Sequence, residues 1–504
     1  MIPALGALAG IVLGQPLFII FGLVAVLCFV ATGDGVESVR ALLPMVERIR
    51  ELADKDVLLA IPFFVVSGAI MARGKIAERL IDVARALVGW LPGGLAVAAV
   101  LGCMFFAAIS GSSPATVIAI GTLMFPAMMA QGYRENFSLG LVTTAGSLGI
   151  LIPPSIPMVV YAIAKTGGDK IDIAELFLAG IGPGLFIGGL LMIYAIVSGK
   201  RMNVPRQAFS VRAVFVAIRD GFWSLMLPGI ILGGIYGGFF TPTEAAGISV
   251  AYAFVVEVWI HRAMKVEEFP AVLADSAVLM GSLLVIMVLA MAFNDWMVDR
   301  EIPERATAWV RGMNLGPVGF LLVVNAVLFV AGCLMDIMSA ILLLVPLLSP
   351  IAEALGIDPL HLAIVFIVNL ELGYMTPPVG LNLFVSSSIF RKPIGQVIRA
   401  VVPTAAIMLF ALIVISYVPT IPLGLVRALR GQPIYAAFPS GGRAPAAAHV
   451  PSDGLMQPGG AEAAPASPSG GGQIKSLQEM MNAADDDGDD DDGDAPAPAP
   501  PKPQ

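Results

Sequence analysis

The chain predicts an all-α polytopic membrane protein made of two inverted repeats, each holding a re-entrant helical hairpin and a broken helix. Three observations lead there. First, the 504 residues are 57% hydrophobic and only 13% charged, with a mean hydropathy of +0.87, more apolar surface than a water-soluble body of this length can hide. Second, Gly149-Ile150-Leu151-Ile152-Pro153-Pro154 is written again as Gly373-Tyr374-Met375-Thr376-Pro377-Pro378, 224 positions later. The same offset, carried upstream without a gap, aligns Phe105 with Phe329, Leu123 with Leu347, Pro126 with Pro350, Gly132 with Gly356 and Leu148 with Leu372. Third, Lys and Arg collect in particular short loops, which sets an orientation for each crossing.

The elements follow in order. Residues 1–56 read as a scaffold segment with one span and a surface helix; the apolar run Pro3 to Ala31 has no basic residue before it and is too long for a signal-peptide core. The first repeat covers 57–198 and opens with a span at 57–72. A surface helix at about 75–90 carries Lys75, Glu78, Arg79, Asp82 and Arg85 on one side, which suits an interfacial position. Residues 93–131 form two apolar arms joined by Ser110-Gly111-Ser112-Ser113-Pro114, each arm half to one crossing long, so the chain enters and leaves on one side. The broken helix at 137–164 follows, because a Gly ahead of two prolines cannot continue a helix: proline lacks the amide donor and forces its predecessor out of the helical region. Irregular backbone at membrane depth is tolerated only where protein buries it or where it lines a hydrated cavity. A span at 176–198 closes the repeat. Residues 199–275 hold a basic loop and two scaffold spans at 222–240 and 244–260. The second repeat, 276–426, runs through a span at 276–293, a surface helix at 296–312, a hairpin at 317–355 turning near Met335-Asp336-Ile337-Met338-Ser339, a broken helix at 360–390 and a span at 398–426.

Charge gives the orientation. Lys200, Arg201, Arg206, Arg212 and Arg219 mark a cytoplasmic loop, as do His261-Arg262 with Lys265, and Arg391-Lys392 with Arg399. After the first broken helix, Lys165 and Lys170 are offset by Asp169, Asp172 and Glu175, so the two broken helices end on opposite sides. Arg427 and Arg430 run against this scheme, which puts the C-terminus outside. From residue 431 the chain turns rich in Gly, Pro, Ala and Ser and ends in aspartate runs, a composition that cannot offset its ordering entropy and predicts a disordered acidic tail over 431–504. That tail holds 11 of the 37 acidic and 3 of the 29 basic residues, leaving 26 of each in the body. A neutral body excludes a nucleic-acid partner, which needs a basic face.

Few residues can carry chemistry. Ser110, Ser112, Ser113 and Thr116 put four hydroxyls at the first hairpin turn; with the carbonyls freed around Gly149 and Pro153 they form a neutral oxygen cage suited to a weakly held monovalent cation. The competing reading is ordinary packing and back-bonding of small hydroxyl residues. The second half offers Asp336, Ser339, Gly373, Thr376 and Asn382. An acid at an intramembrane turn is costly and by default functional, although Asp336 also fits a helix cap. Glu371 invites the same two readings, and Asn325 and Asn369 suit hydrogen bonds between helices. Thr241-Pro242-Thr243-Glu244 is a capping box, and Asp358 and Asp172 read as helix starts. Cys28, Cys103 and Cys333 sit in apolar runs without metal spacing and read as small core residues. The three histidines lie away from the serine cluster and no phosphate loop is present, so neither hydrolysis nor direct use of ATP is expected.

Together, Ile109-Ser110-Gly111-Ser112-Ser113-Pro114-Ala115-Thr116, the two Pro-Pro breaks, Gly237-Gly238-Phe239-Phe240-Thr241-Pro242-Thr243-Glu244, Asn369-Leu370-Glu371 and Thr376-Pro377-Pro378-Val379-Gly380-Leu381-Asn382 resemble the large membrane subunit of tripartite ATP-independent periplasmic (TRAP) transporters, the DctM-like family. The resemblance spans about residues 1–426. It implies an elevator-type, sodium-coupled importer of an organic acid such as a C4-dicarboxylate, in the bacterial inner membrane, with no cofactor beyond the coupling sodium ions. It further implies two protein partners, a small DctQ-like membrane subunit and a periplasmic DctP-like binding protein. The implied sodium sites fall near Ser110, Ser112, Ser113, Gly149 and Pro153 in one half and Asp336, Ser339, Gly373 and Thr376 in the other. No extra helices precede the first span, so the small subunit is expected as a separate chain; the acidic tail lies outside the resemblance. A stand-alone secondary carrier is the alternative within transport. An ion channel would need an open polar pathway that the sequence lacks.

Overall fold

The computed structural model describes residues 56–439 except 166–169 and 313–314, with Ile19 and a few positions between 22 and 28. The expected span at 3–31 lies almost wholly outside the described residues, and the surface helix before residue 56, Asp169 and the chain from 440 onward lie outside them altogether. Every regular element among the described residues is helical.

A bent pair opens the body: α1 (Ala60–Arg73) and α2 (Ile76–Val88) meet at 70°. α2 buries Ile76, Ala77, Leu80, Ile81, Val83 and Ala84 and leaves its charged residues at the surface, the amphipathic pattern of a helix lying along an interface. Hairpin 1 is α3 (Gly94–Ser110) and α4 (Ser113–Ala130), turned by Gly111 and Ser112 alone. The first broken helix is α5 (Glu135–Gly146), a 3-10 turn over Ser147–Ile150, and α6 (Ile156–Ala164). α7 (Ile173–Met202) starts on Asp172, whose carboxylate accepts from Ala174 N at 3.0 Å. A short exposed helix, α8 (Val211–Asp220), leads into α9 (Phe222–Tyr236). Thr241 and Glu244 close the expected capping box and open α10 (Pro242–Val255), which a π turn extends to Ile260.

The second half begins with α11 (Phe269–Asp299) and α12 (Ile302–Gly312). Hairpin 2 is α13 (Pro317–Leu334) and α14 (Ile337–Ala354), turned by Met335 and Asp336; the second broken helix is α15 (Pro359–Tyr374) and α16 (Leu381–Phe390). The expected span at 398–426 is two helices, α17 (Ile394–Tyr417) and α18 (Thr420–Leu429). Pro419 explains the break, since it removes an amide donor and holds Val418 outside the helical region. The hairpin arms are fuller than expected: α4, α13 and α14 each have 18 residues and rank among the six described helices long and apolar enough to cross a membrane.

Two ion pairs fix the sense of the halves. Lys392, just past α16, pairs with Glu135 at the start of α5, so the first broken helix begins where the second ends. Lys165, at the end of α6, lies 2.8 Å from Glu353 at the end of α14, so the first broken helix ends where the second begins. The two therefore run antiparallel, and the hairpins enter from opposite faces. Arg430 pairs with Glu175 near the start of α7, and Arg427 donates to the Tyr435 carbonyl at 2.7 Å; these contacts occupy the arginines that the charge pattern left unexplained. The halves also interlock, with α16 packed on α4 of hairpin 1 and α6 packed on α14 of hairpin 2.

Candidate substrate and cation site

Each hairpin tip rests on the break of its own half. In the first half Ile156 N donates to the Gly111 carbonyl at 3.3 Å; in the second, Val379 N donates to the Cys333 carbonyl at 3.1 Å. The recurrence of glycine at Gly149 and Gly373 fits this contact. A Cβ on Gly149 would stand 2.5 Å from Thr116 Oγ1 and 2.6 Å from the Ser112 carbonyl, and one on Gly373 would stand 2.6 Å from the Gly332 carbonyl carbon. Neither position admits a side chain. The breaks themselves differ: residues 151–155 are buried, whereas Pro377, Pro378 and Val379 are exposed.

The first half-site is a cluster of uncharged oxygens. Ser110 Oγ lies 3.0 Å from Thr116 Oγ1, which donates to the Ser112 carbonyl at 2.9 Å, while Ser110 Oγ reaches that carbonyl at 3.5 Å. Ser110, Ser113 and Thr116 are buried, and Pro153 lies in the adjoining break. In the second half Asp336 caps α14: its carboxylate accepts from Ser339 N at 3.0 Å and from Ser339 Oγ at 2.5 Å. The cap reading is therefore observed in the geometry. Thr376 Oγ1 donates to the Leu372 carbonyl at 2.9 Å, closing the last turn before the second break. Among the described residues no group of His, Cys, Asp and Glu side chains converges as a transition-metal site would require.

Asn382 does not join Asp336 and Ser339. Its amide donates to Ser113 Oγ at 2.5 Å and to Glu371 Oε1 at 2.9 Å, and Ser113 Oγ donates to the same Glu371 oxygen at 2.6 Å. One buried node thus joins hairpin 1 to both arms of the second broken helix. Glu371 Oε2 and Asn382 Oδ1 are buried there without a protein hydrogen-bond partner, so acceptor capacity remains at the node. Asn369 serves the packing role its surroundings suggested, donating to Asn325 Oδ1 at 2.7 Å.

Both tips open on one cavity of about 390 Å³, lined by Ser110 to Ala115, Ile156, Pro157, Asp336 to Met338 and Tyr374, with Gly68 and Ala69 of α1 and Asp275 and Ser276 of α11 on the facing wall. Three helices begin at this cavity: α4, α6 and α14. Asp336 already occupies the N-terminus of α14, and Ser155 accepts from Met158 N at 3.4 Å on α6. The N-terminus of α4 has no side-chain cap. Pro114 has no amide and Thr116 N donates to the Ser112 carbonyl, which leaves Ser113 N, Ala115 N and the positive end of the dipole at the cavity, an arrangement that favours a carboxylate.

Antiparallel broken helices, opposed hairpins and a shared central cavity define a helical membrane transporter permease. The profile of the tripartite ATP-independent periplasmic transporter, DctM component, matches residues 5–421. The chain is 46% identical over 390 residues to the C4-dicarboxylate TRAP transporter large permease protein DctM of Pseudomonas aeruginosa, covering 77% of this chain and 90% of that protein. It is 41% identical over 423 residues to the protein of the same name from Rhodobacter capsulatus, covering 82% and 95%. The chain belongs to the DctM family of TRAP transporter large permease proteins, a family of inner-membrane transport subunits and not of enzymes. The fold is similar to the crystal structure of the Alcanivorax borkumensis YdaH transporter, with a TM-score of 0.60 at 16% identity, over 83% of this chain and 99% of that one.

Proposed function

We propose that this chain is the permease of a sodium-coupled organic-acid importer, with a C4-dicarboxylate as its substrate. The observation that carries the reading is the pairing, across one cavity, of an uncapped α4 N-terminus with a neutral oxygen cluster at Ser110, Ser112 and Thr116. The first favours an anion and the second a monovalent cation. Ser110, Ser112, Thr116, Gly149 and Pro153 would hold one sodium ion; Ser339, Gly373 and Thr376, with Asp336, would hold a second. The Ser113, Asn382 and Glu371 node would transmit occupancy of one half to the other. Hairpins, breaks and node would move together against α1, α10 and α11 in an elevator-type step. The names of the two DctM relatives support the choice of substrate class.

A small DctQ-like subunit and a periplasmic binding protein would complete the system, the first extending the scaffold and the second capturing substrate. Reconstitution tests this directly. In liposomes with an inward sodium gradient, the chain alone should accumulate little micromolar succinate, and addition of both cognate partners should restore uptake. Robust uptake by the chain alone, indifferent to either partner, would instead support a stand-alone carrier.

A further inference from the structure

The cavity that would receive an organic anion has an unbalanced lining: among the described residues it includes the carboxylates of Asp275 and Asp336 and no Lys or Arg side chain. A basic group stands at its edge. Arg73 Nη2 lies 2.6 Å from Asp275 Oδ2, and both side chains are exposed on the described chain, at 47% and 69%. An ion pair that exposed contributes little to stability, so it has little structural work to justify it. Val65, Gly68 and Ala69 of α1 line the cavity, and Arg73 follows Ala69 one turn later on the same face. Helical side chains lean toward the N-terminus, which directs Arg73 back over Ala69 and toward the cavity.

Resting on the organic-acid reading above, we infer that Arg73 is the specificity-determining group for the second carboxylate of a dicarboxylate substrate, with Asp275 holding the guanidinium in place until the substrate carboxylate displaces it. The spacing suits two charges. Gly68 marks the level of the hairpin tip, since a Cβ there would lie 3.2 Å from the Ser110 carbonyl. Arg73 is five residues further on, about 7.5 Å along the helix axis. One carboxylate would sit at the α4 N-terminus and the other on the guanidinium, whose planar fork accepts a carboxylate through two parallel hydrogen bonds.

The test uses the purified full chain with its small subunit, in sodium, and reads thermal stabilisation by succinate and by butyrate. Wild-type protein should be stabilised more strongly by succinate. Arg73→Gln should weaken succinate roughly ten- to a hundredfold, to the level of butyrate, as expected for losing a charged hydrogen-bond partner. Arg73→Lys should recover only part of that loss. Both variants should keep an unliganded melting temperature close to wild type, because an ion pair this exposed contributes little. If Arg73→Gln keeps the full succinate response, Arg73 is merely structural. Wild-type protein unresponsive to both acids would overturn the C4-dicarboxylate reading together with the role of Arg73.

Discussion

Glu371 holds the junction between the two halves through one oxygen, which accepts from Ser113 at 2.6 Å and from Asn382 at 2.9 Å. Buried polar groups tolerate loss of a partner poorly. Ser113→Ala should therefore cost about 1–3 kcal/mol in thermal or denaturant unfolding, because it strips a donor from Glu371 and an acceptor from Asn382; a change within a few tenths would mean the node relaxes or fills with water. Asp336 separates structure from transport in another way. Asn is as good a helix cap as Asp, so Asp336→Asn should leave the yield of folded protein close to wild type while uptake falls at least tenfold if the charge is used. Equal losses of both would leave only the cap. The sequence marked Ser113 as a hydroxyl of the first hairpin turn, Asn382 as a candidate of the second half-site and Glu371 as an acid open to a functional or a structural reading. It assigned Ser113 and Asn382 to different half-sites, because a repeat offset identifies equivalent positions and carries no information on which positions touch. Asp275 and Tyr374 gave no signal at all, since they reach the cavity only through the packing of α11 and α15.

At the scale of elements, tip and break behave as one unit, and glycine sets their separation. Gly149→Ala and Gly373→Ala should each abolish uptake, because the added methyl would overlap Thr116 and Ser112 in one case and Gly332 in the other. Gly189→Ala makes the control: a Cβ there meets nothing within 4 Å, and transport should be unchanged. Retained uptake in both site variants would show that the tips stand further from the breaks than described. These breaks were legible from Gly and Pro alone, as were the caps at Thr241, Asp172 and Asp358, because their causes are local. The elbow between α1 and α2 was not. Glu257, buried on the π turn after α10, accepts from Lys75 N at 2.9 Å and Ile76 N at 2.8 Å and so caps α2 from a distance. No local pattern announces a cap supplied 181 residues away. Glu257→Ala should lower stability by about 1–3 kcal/mol by orphaning the buried Ile76 amide and the part-buried Lys75 amide, and Glu257→Gln by less, since its carbonyl can still accept.

For the whole molecule, the class and the repeat were written in hydropathy and in the 224-residue offset, and the antiparallel sense in the loop charges. The interlocking of the halves was not, because the packing of α16 on α4 and of α6 on α14 depends on side-chain shape between elements far apart in the sequence. On the proposed reading, that interlock would make the central body move as a unit: a cation seated at the Ser110 cluster would stabilise the tip, the tip would fix Ser113, and Ser113 would fix Glu371 and Asn382 in the other half. Sodium dependence is the central claim. The measurement that tests it most directly is succinate uptake by the reconstituted three-component system with sodium or potassium as the sole external cation, at clamped membrane potential and with no pH difference. Accumulation in sodium, with none above background in potassium, is the expected result. Equal accumulation in both would contradict the account, and the oxygen cluster at Ser110, Ser112 and Thr116 would then be helix packing and nothing more.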